Sequence, residues 1–178
     1  MSGEITLVLG GARSGKSAWA EQLAAGTGRR VLYLATATAG DDEMAERIAA
    51  HRASRPPAWR TVEAPYELAD AVRAYARPNE VVLVDCLTIW VSNVVLRQLG
   101  RKSDTAAVTQ SEWAAIEAQL LASTDDLLAS ARVIDAPLIL VSNEVGMGLV
   151  PPSPLGRRYR DLLGRVNQVV ARGRVRSC

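Results

Sequence analysis

Residues 5–24 read ITLVL-GGARSGKS-AWAEQLA, and this stretch decides the fold. An apolar run leads into a glycine-rich turn, and a segment of good helix formers follows. The turn, residues 10–17, matches the pattern G-x-x-x-x-G-K-[ST] without a mismatch. A strand, a glycine turn and a helix N-terminus in this order are typical of a phosphate-binding loop. A chance match in a Gly/Ser-rich turn is the weaker interpretation, because both flanking elements that the motif requires are present.

Each position of this loop has a physical reason. Gly10, Gly11 and Gly15 leave room for backbone N–H groups to approach a polyphosphate. Lys16 brings a cation to the β- and γ-phosphates, and the Ser17 hydroxyl is a ligand for Mg²⁺. The following helix directs its positive end at the anion. The sequence therefore predicts a nucleoside triphosphate site.

The composition is ordinary for one globular domain, and we expect it to span residues 1–178. Its net charge is +2 and its apolar share is 48%. Acidic and basic residues are mixed, which argues against a nucleic-acid partner. No apolar run approaches the roughly 20 residues that cross a bilayer, and the charged loop at 10–17 interrupts any signal peptide. We expect a cytoplasmic protein without a membrane span.

Histidine and cysteine are scarce in the chain. Cys86 and Cys178 are far apart and lack the spacing of metal ligands, so we expect two reduced thiols, with Cys86 in the core. His51 is the single histidine, which excludes sites and mechanisms that need two.

His51 lies in a predicted helix that begins at residues 41–43 and ends before Pro56-Pro57. Ile48, His51 and Arg55 share one face at helical spacing, so a structural place at the edge of the core is one interpretation. The other is chemical. Nearby arginines at 47, 52 and 55 disfavour imidazolium, keep the ring a neutral nucleophile or base, and can bind phosphate.

Two further segments carry polar residues at the ends of predicted strands. Residues 81–85, VVLVD, have the form of a Walker-B strand, whose Asp85 would bind Mg²⁺ directly or through water. Such a run is weak evidence alone and stronger downstream of a phosphate loop. Residues 142–148, SNEVGMG, follow another buried strand. There Asn143 and Glu144 either reach substrate or cap the helix that begins near Leu155.

Apolar runs alternate with helical patterns along the chain. This order predicts an α/β fold, a doubly wound and mostly parallel sheet with helices on both faces. Further strands are expected at 31–35, 59–63 and 137–141, and further helices at 66–75, 87–99 and 112–132.

Five segments together resemble one family, the bifunctional adenosylcobinamide kinase/adenosylcobinamide-phosphate guanylyltransferases of cobalamin biosynthesis. They are GGARSGKS at 10–17, the pattern DDEM..RI..HR..RP..W.T.E at 41–63, DCLT at 85–88, SNEVGMG.VP at 142–151 and RDLLGRVNQ at 160–168. The first is common to many NTPases, whereas the second and fourth are far more particular.

The resemblance implies a P-loop NTPase fold with a RecA-like sheet, a homotrimer and two reactions. In the first, ATP or GTP phosphorylates a hydroxyl of adenosylcobinamide. In the second, His51 attacks the α-phosphorus of GTP, and the bound GMP passes to adenosylcobinamide phosphate to give adenosylcobinamide-GDP.

The resemblance also assigns site residues. His51 and Lys16 would be catalytic, and Ser17 and Asp85 would hold Mg²⁺. Nucleotide contacts would fall on Gly10, Gly11, Ala12, Arg13, Ser14, Gly15, Lys16, Ser17, Thr36, Ala37, Thr38, Arg52, Ala53, Ser54, Arg55, Glu63 and Asp85.

The chain departs from the family after Gln168, where a short acidic turn and an apolar final strand are usual. We expect that strand to be missing or replaced, with 171–178 an atypical tail and a candidate for disorder. Two other functions stay open: a monofunctional P-loop small-molecule kinase with a structural His51, and a nucleotide-dependent switch or binding module.

Overall fold

The structure is a computed structural model, and it describes residues 4–38, 42–53, 55–100, 108–173 and 175–177. Strands and helices alternate along the chain, as the sequence predicts. The strands are β1 Ile5–Gly10, β2 Arg30–Ala35, β3 Arg60–Glu63, β4 Glu80–Asp85, β5 Leu138–Asn143 and β6 Val175–Ser177. The helices are α1 Lys16–Gly26, α2 Asp42–Ala53, α3 Leu68–Tyr75, α4 Leu87–Leu99, α5 Gln110–Ile134 and α6 Pro154–Arg172.

The described strands form one six-stranded sheet in the order β3-β2-β4-β5-β1-β6, and every pairing in it is parallel. β5 lies between β1, which leads into the phosphate loop, and β4, which ends at Asp85. This is the RecA-like arrangement of a P-loop NTPase, so the predicted fold class is confirmed.

Apolar clusters cover both faces of the sheet. On one face, Ala20 and Ala24 of α1 pack against alternate residues of β1, β2, β4 and β5. On the other face, buried residues of α3, α4, α5 and α6 pack against the remaining residues of those strands. The central strands are therefore apolar at every position, as expected for a parallel sheet with two covered faces.

The carboxyl ends of β1, β4 and β5 meet at one edge of the sheet. Gly10 is opposite Asn143, and Asp85 is opposite Val141. Ligands of open α/β sheets bind at this kind of edge. The register thus places the phosphate loop, Asp85 and the loop after β5 beside one another.

The expectation of a missing last strand is corrected by β6, a three-residue strand that pairs with β1. The edge of β1 offers a row of backbone hydrogen-bonding groups, and a short extended segment satisfies them even when its sequence is basic. The preceding residues Ala171 and Arg172 complete α6.

Helix boundaries follow local signals. α5 begins with a capping box in which Thr109 accepts from the Glu112 N–H and the Glu112 side chain accepts from the Thr109 N–H. α6 begins at Pro154 with Ser153 as its N-cap. The alternative in which Asn143 or Glu144 caps this helix is therefore wrong. No helix in the described ranges combines the length and the apolar character needed to cross a membrane.

Candidate functional site

The phosphate loop joins the end of β1 to the start of α1 through a tight turn. Gly15 has φ +84°, a backbone conformation that favours glycine. At Gly10 a Cβ would lie 2.6 Å from Ser14 Oγ, so a larger residue would displace the serine. Lys16 Nζ donates to the Gly11 carbonyl oxygen at 3.2 Å, which keeps the ammonium at the loop. The loop therefore presents N–H groups and one cation at the N-terminus of α1.

The Asp85 carboxylate lies beside this loop, with one oxygen directed to each of two neighbours. Ser17 Oγ donates to Oδ1 at 3.4 Å, and the Tyr33 hydroxyl donates to Oδ2 at 2.7 Å. The predicted partnership of Ser17 and Asp85 thus has the geometry of a shared site.

A divalent cation fits these two residues by the chemistry of their donors. A hydroxyl and a carboxylate are oxygen ligands of the kind that Mg²⁺ prefers. Among the described residues no group of three or more His, Cys, Asp or Glu side chains could hold a metal without further ligands. Mg²⁺ is usually bound by one or two protein oxygens together with substrate phosphates, and the arrangement matches that habit.

Tyr33 is a functional residue that the sequence analysis missed. Its ring is buried in β2, stacks on Trp59 and lies 3.5 Å beneath the Arg55 guanidinium. Burial, and then the charge of Asp85, raise the pKa of the Tyr33 hydroxyl, so it stays a donor at neutral pH. The available signal was a phenol within an otherwise aliphatic strand, since a buried tyrosine hydroxyl usually needs a partner.

A cleft of about 280 Å³ opens between the phosphate loop and the C-terminal end of α2. Its lining brings together residues from both halves of the predicted site. They are Ser17, Ala37, Arg52, Arg55, Glu63 and Asp85, with Tyr33, Ala35, Ile48, Thr61, Cys86 and Ile89 in addition.

Other predicted contacts are placed differently. Thr36 is buried, and its hydroxyl exchanges hydrogen bonds with the backbone of Cys86 at 2.8 and 2.9 Å, so it fixes the strand ends together. Thr38 and Ala53 are exposed and do not line the cleft. Residues 10–16 form the loop beside it, and Ser54 lies outside the described residues.

His51 belongs to the last turn of α2, and its side chain lies outside the described part of the chain. Ile48, three residues earlier, and Arg52, the next residue, both line the cleft. Arg55 follows the helix, and its Nη1 donates to Thr61 Oγ1 at 3.5 Å. The helix turn that carries position 51 therefore borders the same cleft as Asp85.

Cys86 lies at the cleft wall rather than in the core, because the chain turns from β4 into α4 there. It is half-buried and unbridged, as expected for a reduced thiol. Burial, and then the Asp85 charge, raise the pKa of this thiol, which keeps it neutral. Cys178 lies outside the described residues.

Comparisons with known proteins agree with this site. A profile of the family described as cobinamide kinase / cobinamide phosphate guanyltransferase matches residues 6–177. The bifunctional adenosylcobalamin biosynthesis protein CobU of Escherichia coli (strain K12) is 46% identical over 165 residues, covering 93% of this chain and 88% of that protein. The bifunctional adenosylcobalamin biosynthesis protein CobP of Pseudomonas aeruginosa is 44% identical over 165 residues, covering 93% and 86%.

Among solved structures, a crystal structure of the RadB recombinase matches with a TM-score of 0.49 and 20% identity, covering 93% of this chain and 71% of that one. The family profile spans nearly the whole length, and both relatives agree with it. This chain therefore belongs to the cobinamide kinase / cobinamide phosphate guanyltransferase family.

Proposed function

We propose that this protein is a bifunctional transferase that uses one cleft for two reactions. It phosphorylates adenosylcobinamide with ATP or GTP. It then transfers GMP from GTP through a covalent His51–GMP intermediate to adenosylcobinamide phosphate, giving adenosylcobinamide-GDP.

The observation that carries this proposal is the lining of the cleft. Ser17 and Asp85, from the phosphate end, and Ile48, Arg52 and Arg55, from the α2 end, line the same space. A plain kinase needs the first group alone. The second group surrounds position 51 in sequence and supplies cations where a nucleotide phosphate would lie.

For phosphoryl transfer, the loop supplies position and charge. Its backbone N–H groups and Lys16 hold the β- and γ-phosphates, and the N-terminus of α1 adds its positive end. The acceptor hydroxyl oxygen bonds to the γ-phosphorus as the bond to the β,γ-bridging oxygen breaks. These residues stabilise the transferring group without covalent chemistry of their own.

For guanylyl transfer, a neutral His51 nitrogen attacks the α-phosphorus. An N–P bond forms, the bond to the α,β-bridging oxygen breaks and pyrophosphate leaves. Arg52 and Arg55 are placed to stabilise the charge on the phosphoryl oxygens. A phosphate oxygen of the acceptor then displaces the imidazole, which frees His51 for another cycle.

Mg²⁺ is the cation that we propose at Ser17 and Asp85, where it would neutralise phosphate charge and orient the triphosphate. Resemblance to the family supports two further proposals: a homotrimer, which light scattering can measure, and a cytoplasmic location, where both nucleotides are supplied.

The test is to incubate the purified protein with Mg²⁺ and GTP, without corrinoid, and to search for an acid-labile GMP adduct by intact and peptide mass spectrometry. We expect one adduct, on the peptide that contains His51. The matched variant His51→Asn keeps a polar side chain but lacks the nucleophile. It should form no adduct and retain most phosphorylation of adenosylcobinamide.

An adduct that persists in His51→Asn would contradict the proposed nucleophile. Absence of any adduct, in protein that binds GTP and phosphorylates the corrinoid, would leave a monofunctional kinase instead.

A further inference from the structure

Asn143 ends β5 at the point where the phosphate loop begins. It is opposite Gly10 in the sheet, and the next residue, Glu144, donates its N–H to the Gly10 carbonyl at 3.0 Å. The residue is therefore held against the first position of the loop.

The strand's alternation places the Asn143 side chain on the face of the sheet that α1 covers. Ile139 and Val141 pack in the α1 cluster, whereas Ser142 points the other way and donates to Asn167 of α6 at 2.7 Å. Asp85 shares the α1 face, since Ser17 of α1 donates to it. Asn143 and Asp85 thus stand on the same side of neighbouring strands.

The backbone of Asn143 is fixed from two sides, while its amide is not engaged. Its N–H donates to Thr88 Oγ1 at 2.8 Å, and its carbonyl accepts from Asn167 Nδ2 at 3.1 Å. The side-chain Oδ1 is buried and has no hydrogen-bond partner among the described residues. Ser153 caps α6, so capping does not account for this amide.

A buried amide oxygen without a partner is costly, and such groups often mark a place where a ligand completes the hydrogen bonding. At this place the candidate ligand is the terminal part of a bound triphosphate. An amide suits it because the amide offers a donor to a phosphate oxygen and an acceptor to the Lys16 ammonium. It also carries no charge that would repel the phosphate.

We propose that the Asn143 amide binds the γ-phosphate end of the nucleoside triphosphate, beside Lys16 and Asp85. This inference rests on the proposed function, since it deepens the description of the same nucleotide site. Asn143 would then distinguish a triphosphate from a diphosphate, because only the triphosphate reaches the end of β5.

The experiment compares the binding of the α,β-methylene analogues of GTP and GDP by calorimetry with Mg²⁺ present. These analogues are used because attack at their α-phosphorus cannot break the α,β bridge. Asn143→Ala should weaken the GTP analogue about tenfold and the GDP analogue less than about twofold. Asn143→Asp, nearly the same shape but negatively charged, should weaken the GTP analogue further.

Ser142→Ala is the matched control, because it alters the neighbouring residue of the same strand on the opposite face. It should leave the ratio of the two affinities unchanged. An equal loss of both analogues in Asn143→Ala, or an unchanged ratio in both Asn143 variants, would overturn the role of Asn143 alone. Failure of the unsubstituted protein to bind either analogue would overturn the proposed function as well.

Discussion

At the scale of single residues, Tyr33 determines how Asp85 faces the cleft. Its hydroxyl occupies Oδ2 at 2.7 Å, which leaves Oδ1 directed at Ser17. Groups that orient a metal ligand in this way commonly alter metal affinity when they are removed. Tyr33 is therefore a positioning residue, acting on the cation through Asp85.

Tyr33→Phe should raise the Mg²⁺ concentration needed for half-maximal binding of a fluorescent GTP analogue about tenfold. The ring, and with it the contacts to Trp59 and Arg55, would remain. Magnesium titrations at a fixed concentration of the analogue measure the effect directly.

Tyr159→Phe is the control for the loss of a tyrosine hydroxyl, because the Tyr159 O–H donates to the Thr88 carbonyl at 2.9 Å rather than to Asp85. Burial, and then the charge of Cys86, raise the pKa of Tyr159 to about 12, so it too is a protonated donor at neutral pH. Equal shifts in the two variants would argue against a specific role for Tyr33.

At the scale of elements, an ion pair fastens the edge strand β3 to the centre of the sheet. Arg60, at the start of β3, donates to both oxygens of Glu80, at the start of β4, at 2.9 and 3.1 Å. The Glu80 side chain is fully buried and also accepts from the Arg77 N–H at 3.1 Å. The far end of β3 carries Thr61 and Glu63, which line the cleft.

Arg60→Ala should destabilise the protein by about 2 kcal/mol, because it leaves a buried carboxylate without its main charge partner. This is less than the loss of a fully buried pair costs, since the Arg60 side chain is 35% exposed. Urea unfolding followed by circular dichroism measures the change.

Adding Glu80→Gln to Arg60→Ala should recover part of the loss, because the unpaired charge is then gone. The control is Arg73→Ala, which removes an exposed arginine paired with Asp70 and Asp126 and should change stability little. A double variant less stable than Arg60→Ala would contradict the buried-charge explanation.

Strands and helices were predictable from the sequence because their signals are local. The apolar runs at β2, β4 and β5 and the periodicity of α4 and α5 fix these elements within a few residues. β6 was not predicted, because its strand character comes from the free edge of β1 and not from its own residues. Tertiary context overrode local propensity there.

At the scale of the whole molecule, the site is assembled from segments that are remote in sequence. The phosphate loop, Asp85 and the α2 region were each predictable from a motif, and the cleft joins them. The Tyr33–Asp85 hydrogen bond was not, since it links positions 52 residues apart and neither has a pattern naming the other. The Thr36 hydroxyl was lost to prediction for the same reason, as its partner is the Cys86 backbone.

A single phosphate loop in the proposed bifunctional site makes the two reactions depend on the same lysine. Lys16→Ala should abolish phosphorylation of adenosylcobinamide and also reduce the GMP adduct at His51 at least about a hundredfold, because both reactions need the triphosphate held at the loop. His51→Asn, by contrast, should remove the adduct alone. The two variants together therefore separate a shared nucleotide site from a shared nucleophile.

The measurements are the rate of labelled phosphate transfer and the yield of adduct by mass spectrometry, each on the same preparations. Lys102→Ala is the control for removing a lysine, since Lys102 is the other lysine in the sequence. Adduct formation at the normal rate in Lys16→Ala would mean that GTP for guanylylation binds away from the phosphate loop. Two nucleotide sites would then be required, because the loop would serve the kinase reaction alone.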